Sequence, residues 1–190
     1  MSRTVRPRRR RYIPFLITDH VQHACTQIEA IQAQEDTCVF PAFDSNIAWE
    51  LGTTIRTHCR RTQNRPAVIY IAHANSFQLL FFAATGPGTS PNVMHLVKRK
   101  EAVVLRWGMS TLRMRLRLQE GHPTWPAQDS LRNRLEVADP SVYAFHGGGF
   151  PVRVKNVEGI VGVIVVSGLK NDDNHDVIVE CIQHYLSTLN

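Results

Sequence analysis

Residues 146–169 read HGGGFPVRVKNVEGIVGVIVVSGL, and this stretch decides the fold. Residues 150–154 and 160–166 are apolar, β-favouring segments, and the polar residues 155–159 between them are few enough for a hairpin. The second segment is apolar on both faces, which is typical of a central strand. We therefore predict an antiparallel strand pair with residues 160–166 in the middle of a sheet.

A second strand pair is predicted upstream. Residues 67–72 and 77–84 are apolar and rich in β-favouring residues, and only four residues separate them. Residues 37–40 form a further short β-favouring run that ends at Pro41. Residues 142–145 are a candidate for one more strand.

Apolar residues at helical spacing predict four helices around these strands. Together with the two hairpins they predict an α+β domain with one mainly antiparallel sheet. The helices are expected after Thr18 or Asp19, after Asp44, over residues 93–105 with a stop at Gly108, and after Asp172 or Asp173.

Two segments have a less direct interpretation. Residues 112–118 alternate Leu or Met with arginine, which is the period of a half-buried strand, whereas Ser110 before them is a typical helix cap. Both interpretations stay open on this pattern. Residues 121–139 are rich in proline and polar side chains and predict a long surface loop.

The charge of the chain is concentrated at its N-terminus. The 190 residues are 43% hydrophobic, enough for one well-buried domain, and carry a net charge of +6. Six arginines lie among the first eleven residues, and without them 16 basic residues balance 16 acidic ones. We expect residues 1–12 to be a disordered tail and residues 13–190 to form a single domain. The tail is suited to a phosphate-bearing or acidic partner, including a nuclear import receptor.

The apolar runs are far shorter than the about 20 residues of a membrane-spanning helix, so we expect no membrane insertion. No apolar stretch follows the basic N-terminus, as a secretory signal requires. We therefore expect a cytoplasmic protein, with the nucleus as an alternative. The four cysteines show no CxxC spacing, in keeping with a reducing compartment; they are Cys25, Cys38, Cys59 and Cys181.

The three glycines after His146 are the most distinctive local feature. Consecutive glycines allow positive φ and let main-chain N–H groups turn toward an anion, or they simply form a tight turn before a strand. His146 is a candidate ligand or proton donor. The chain has no GxSxG motif, which weakens an esterase interpretation, and no histidine or cysteine spacing indicates a zinc site.

Several short motifs occur in one order and resemble uncharacterised protein family 0303, a branch of the haem-degrading or haem-binding superfamily with GlcG-like and HbpS-like proteins. The resemblance implies a profilin-like fold, in which helices pack on a five-stranded antiparallel sheet, and homo-oligomers. It also favours a helix over residues 110–118. The motifs are Phe43-Asp44 with Ala48, Leu51 and Gly52, then Leu79-Leu80-Phe81, Arg99-Lys100, Ser110-Thr111, HGGGFP at 146–151, and VSGL at 166–169 with His175.

The chain departs from this family where relatives carry carboxylates. Relatives usually have an Asp-Asn pair and then Trp before the Arg-Lys, where this chain has Asn92, Val93 and Leu96, and Asn174 replaces the aspartate before His175. The missing carboxylates weaken an acid–base or metal role at both places. The resemblance still implies a set of ligand-binding residues: His146, Gly147, Gly148, Gly149, Phe150, Arg99, Lys100, Ser167 and His175.

Three functions remain open. The leading one is a cytosolic homo-oligomer that binds a small anionic or tetrapyrrole-like ligand such as haem. In it, the N–H groups of the glycines hold carboxylates or phosphates, Arg99 and Lys100 balance the charge, and His146 ligates or protonates. The second is a scaffold for cytosolic targeting or chaperone partners. The third is an enzyme, a hydrolase or an oxidoreductase of unknown substrate.

Overall fold

A computed structural model describes residues 19–120, 126–170 and 172–189 of the chain. The arginine-rich residues 1–12 lie outside this range, so their disorder stays a prediction. Within the described residues, no helix is long and apolar enough to cross a membrane.

Six α-helices and five β-strands make up the described part of the chain, which is an α+β arrangement. The helices are α1 (Asp19–Thr37), α2 (Ser45–Thr62), α3 (Pro91–Trp107), α4 (Thr111–Gln119), α5 (Ala127–Leu135) and α6 (Asp173–Ser187). The strands are β1 (Val39–Phe40), β2 (Val68–His73), β3 (Leu79–Ala84), β4 (Gly149–Val154) and β5 (Gly162–Ser167).

The strands form one sheet in the order β1-β4-β5-β2-β3. β1 pairs with β4 in parallel, and the other three pairings are antiparallel. Both predicted hairpins, β2–β3 and β4–β5, are confirmed, and β5 is central as its two apolar faces predicted. The expectation of a mainly antiparallel five-stranded sheet is confirmed.

Helices cover both faces of the sheet. Alternate residues of β5 point to opposite sides: Ile164 and Val166 join the core formed with α2 and α6, whereas Val163 and Val165 pack with α3. A third apolar cluster joins α3, α4 and α5. The C-terminal end of β5 and the N-terminal end of α3 therefore meet at one edge of the core.

Residues 112–118 lie in the helix α4, as the resemblance favoured. The hydroxyl of Ser110 caps it by accepting a hydrogen bond from the main-chain N–H of Arg113, 3.1 Å away. The arginines in this segment nevertheless have structural roles: Arg113 forms a salt bridge with Glu35, and Arg115 forms one with Asp172.

Two expectations are wrong. The segment 121–139 is not a continuous loop, since it contains α5, whose Ala127, Ser130 and Leu131 are buried. That helix depends on packing against α4 more than on its own apolar pattern. Residues 142–145 do not form a strand: a 3₁₀ turn (Pro140–Val142) leads into them, and Ala144 donates its N–H to the carbonyl of Arg99 in α3. These residues pair with a helix, so they lack a neighbouring strand.

Candidate functional site

A pocket of about 490 Å³ opens where the start of α3, the end of β5 and the His146 turn meet. This is the edge where the central strand ends, a common place for ligand sites. Its wall consists of Arg65, Pro66, Gly88, Thr89, Ser90, Val93, Leu96, Lys100, His146, Ser167, Gly168, Leu169 and Asn174.

Hydrogen bonds and close packing hold the turn at residues 146–149 in place. Gly148 has a φ of +112°, and a Cβ there would collide with the carbonyl oxygen of Val166 and the side chain of Asn174. The carbonyl of Gly148 accepts the N–H of Val166 at 2.8 Å. The three buried glycines thus let the turn lie directly against β5.

Thr111 fixes the two ends of the turn. Its hydroxyl donates to the carbonyl of His146 at 2.8 Å and accepts the N–H of Gly149 at 3.0 Å. That N–H is therefore engaged within the protein, which leaves it unavailable to an anion. None of Gly147, Gly148 and Gly149 lies on the pocket wall; they form the layer that carries His146 to it.

Lys100 connects the pocket to the core. Its side chain leaves the middle of α3 and is only 2% exposed, and its Nζ donates to the carbonyls of Gly147, at 2.8 Å, and Val166, at 3.0 Å. No carboxylate of the described residues pairs with it. Burial lowers the pKa of Lys100 to about 7, because the charged form loses its hydration.

His146 lies on the wall with its side chain exposed. Partial desolvation, followed by the positive charges of Lys100, Arg115 and Arg99, lowers the pKa of its imidazole. The ring is therefore neutral at pH 7 and has a nitrogen lone pair for a metal or a proton.

The remaining polar groups of the pocket favour an anion. Ser167 is 2% exposed, and its hydroxyl makes no hydrogen bond within the described residues. Thr89 and Ser90 stand at the start of α3, where the helix dipole is positive, and the Ser90 side chain makes no capping bond. The exposed guanidinium of Arg65 lies on the same wall. Among the described residues, the wall includes no Asp or Glu.

The other part of the wall is apolar, with Pro66, Val93, Leu96 and Leu169. Asn174 shapes this side: its Oδ1 accepts the N–H of Leu169 at 3.1 Å, and its Nδ2 donates to the Leu169 carbonyl at 3.3 Å. Asn174 therefore orders the loop after β5.

Three of the nine predicted binding residues, His146, Lys100 and Ser167, lie on this wall. Arg99 points away and donates to the carbonyl of Tyr143 at 3.0 Å. Phe150 and His175 are fully buried in the core, with ring centroids 5.6 Å apart. These three residues support the fold around the pocket.

His175 has an unusual environment inside that core. Its Nε2 lies 3.2 Å from the side-chain oxygen of Gln34, and its Nδ1 has no hydrogen-bond partner among the described residues. Burial lowers its pKa to about 4, so the ring is neutral at pH 7. The part of the chain described holds no cluster of three metal-ligating side chains, at His175 or elsewhere.

Arg65, Thr89 and Ser90 are wall residues that no sequence motif indicated. The turn-forming residues 86–91 before a helix were the available signal for Thr89 and Ser90. Arg65 and Leu169 flank strands that only the folded sheet brings together.

The chain matches known proteins over most of its length. The family model described as Haem degrading protein HbpS-like matches residues 43–183. A UPF0303 protein of Serratia proteamaculans is 35% identical over 162 residues, which cover 84% of this chain and 91% of that protein. The UPF0303 protein mlr5144 of Mesorhizobium japonicum is 36% identical over 159 residues, 84% of this chain and 88% of that one.

Solved structures share the fold. The Ybr137w protein superimposes with a TM-score of 0.75 at 24% identity, covering 91% of this chain and 97% of its own. HbpS gives a TM-score of 0.54 at 17% identity, over 76% of this chain and 89% of that one. PduOC, solved as a complex with haem, gives a TM-score of 0.56 at 15% identity, over 75% of this chain and 94% of that one.

Proposed function

Because the chain belongs to the Haem degrading protein HbpS-like family, in its UPF0303 branch, we propose that it binds a small anionic ligand of the tetrapyrrole type, such as haem. The observation that carries the proposal is the pocket itself. Its described residues combine basic and hydroxyl groups, an apolar side and an accessible neutral imidazole, and they include no carboxylate. PduOC, which shares the fold, has been solved with haem.

The donor chemistry of the pocket fits haem. Carboxylates of such a ligand suit the guanidinium of Arg65, the free hydroxyl of Ser167 and the start of α3. The macrocycle suits the apolar side formed by Val93, Leu96 and Leu169. The imidazole of His146 is the candidate axial ligand, since histidine is a common haem ligand. Bound haem would supply an iron centre that binds or activates further small molecules.

We also propose that the protein works as a homo-oligomer in the cytoplasm. Support for self-association comes from the edge strand β3, where Leu79 is 53% and Phe82 46% exposed, and from Phe77 before it, 64% exposed. Exposed apolar side chains along a sheet edge are typical of a contact surface.

Haem titration followed by absorbance tests the binding proposal. We expect the wild-type protein to bind haem with a Kd in the micromolar range or below. His146→Ala should weaken binding by at least about tenfold and shift the absorbance maximum, because the iron loses a ligand. The control is His95→Ala, since His95 is an exposed histidine of α3 outside the pocket wall. An equal loss in both variants, or no binding by the wild type, would refute the proposal.

Metal-free protoporphyrin separates recognition of the carboxylates from recognition of the iron. Arg65→Ala should weaken binding of haem and of the metal-free ring alike, by roughly three- to tenfold for one charge-assisted contact. His146→Ala should affect only haem. Arg132→Ala, at an exposed position of α5, should change neither. An unchanged affinity of Arg65→Ala for both ligands would place the carboxylates elsewhere.

A further inference from the structure

Lys100 differs from the other lysines that the structure describes. Lys98, Lys155 and Lys170 are exposed, whereas Lys100 is buried and still lies on the pocket wall. Lys98 shows the ordinary arrangement, since its ammonium pairs with Glu101 at 2.8 Å. Lys100 has no such carboxylate among the described residues, and its position at the wall therefore needs another explanation.

The hydrogen bonds of Lys100 suit a neutral amine. A neutral amine has two N–H donors and one lone pair, and the two carbonyls of Gly147 and Val166 accept two hydrogen bonds from Nζ. An ammonium would have a third N–H with no acceptor among the described residues. The arrangement thus satisfies both donors of the neutral form and leaves its lone pair unengaged, which is the state in which an amine is a nucleophile.

Burial without a counter-charge also favours the neutral form of Lys100. The pKa of Lys100, about 7, leaves much of it neutral at physiological pH. An exposed lysine, with its pKa near 10.4, is neutral in only about one molecule in a thousand at that pH.

We propose that Lys100 is a carbonyl-reactive amine that forms an imine with a small anionic aldehyde or 2-oxo acid held in this pocket. The inference rests on the proposed function for the pocket's preference for anions and not on haem as the ligand. The anionic group of such a compound would bind to Arg65 and Ser167, the same residues that suit a tetrapyrrole carboxylate.

The step is balanced without an added oxidant or reductant. The lone pair of Nζ attacks the carbonyl carbon, and the carbonyl oxygen takes up the proton that the nitrogen loses. The resulting carbinolamine loses its hydroxyl with one more proton as water, and a C=N bond to Nζ forms. The neutral imidazole of His146 lies on the same wall and is the candidate carrier of these protons.

Reductive trapping of the wild-type protein tests the proposal without relying on a variant that folds. The protein is incubated at pH 7.5 with glyoxylate and cyanoborohydride, digested, and analysed by mass spectrometry. We expect the reduced adduct at Lys100 to form at least about tenfold faster than at Lys155 or Lys170, which are internal controls in the same digest. The preference should disappear in denaturant. Labelling of Lys100 no faster than of the exposed lysines would overturn the proposal.

Two further arms separate this inference from haem binding. Glyoxylate should label Lys100 faster than acetaldehyde, which lacks the anionic group; equal rates relative to the exposed lysines would refute the anionic substrate class. Haem titration reports on the proposed function alone. Preferential labelling in a protein that fails to bind haem would keep the imine proposal and reject the tetrapyrrole, and haem binding without preferential labelling would do the reverse.

Discussion

The amine of Lys100 joins three parts of the chain that lie far apart in sequence: α3, the glycine turn and β5. The Arg99-Lys100 pair could be selected from the sequence only through family resemblance. Its two members then point in different directions, Arg99 to a main-chain carbonyl and Lys100 to the pocket. Neighbouring residues on a helix project about 100° apart, so which of the two reaches a pocket depends on the helix orientation.

The lowered pKa of Lys100 makes stability depend on pH in a known direction. Between about pH 7 and 10 the unfolded chain binds a proton at this lysine that the folded chain does not, so the free energy of unfolding rises with pH. From pH 7 to 9 we expect a gain of about 2 kcal/mol in the wild type relative to Lys100→Met, measured by urea denaturation. Parallel pH profiles of the two proteins would contradict the assignment.

Gly148 is the glycine of the turn whose replacement should be most harmful. An added Cβ would collide with β5 and Asn174, and φ is positive as well. Gly148→Ala should therefore lower the free energy of unfolding by about 3 kcal/mol or more. Gly159→Ala is the matched control, because Gly159 also has positive φ but no atom within 4 Å of its Cβ position. It should cost only about 1 kcal/mol. If thermal or urea unfolding shows equal losses of stability in the two variants, backbone strain alone determines the cost and the contacts of the added Cβ contribute nothing.

The glycine turn also shows a limit of prediction from sequence. Three consecutive glycines predict freedom of the main chain, and both an anion cradle and a close approach use that freedom. The structure shows a close approach to β5, with the N–H of Gly149 held by Thr111. The distinction depends on residues 111, 166 and 174, which no local pattern connects to the turn.

At the scale of secondary structure, the hairpins were predictable from their own residues, whereas the pattern of α4 left helix and strand open and only the family resemblance favoured the helix. Residues 160–166 predict a central strand by themselves, because a strand that is apolar on both faces must be buried on both. The arginines of α4 instead contact partners that are distant in sequence. Arg113 forms a salt bridge with Glu35 at 3.0 Å, and Arg115 forms one with Asp172 at 2.9 Å. Arg113 and Arg115 therefore pair with different segments although they lie only two residues apart.

The two arginine pairs should differ greatly in their effect on stability. Glu35 is 1% exposed and also accepts the main-chain N–H of Ser110, so removing Arg113 leaves a buried charge without its cation. Arg113→Met should cost about 3 kcal/mol or more in urea denaturation. Arg115→Met, where Asp172 is partly exposed, should cost less than about 1 kcal/mol. Similar losses in the two variants would show that α1 is not anchored to α4 through this pair.

At the scale of the whole molecule, the edge strand β3 is the predicted surface of self-association. Sedimentation at micromolar concentration should show a species larger than the 21.6 kDa chain. Phe82→Lys should shift it toward the monomer, because a charge on a buried contact is costly. Val157→Lys, at a comparably exposed apolar residue of the β4–β5 hairpin, should not. A monomeric wild type, or disruption by Val157→Lys alone, would reject this surface.

The central claim is that the anionic ligand lies between α3, β5 and the His146 turn. A second pocket of about 460 Å³, between Trp107 and Arg134, offers a clear alternative place for a flat apolar ligand. Hydrogen–deuterium exchange with and without haem distinguishes the two directly. We predict slower exchange confined to residues 88–96, 146–149 and 166–169. Slower exchange confined to residues 107–120 and 131–136 would contradict the claim.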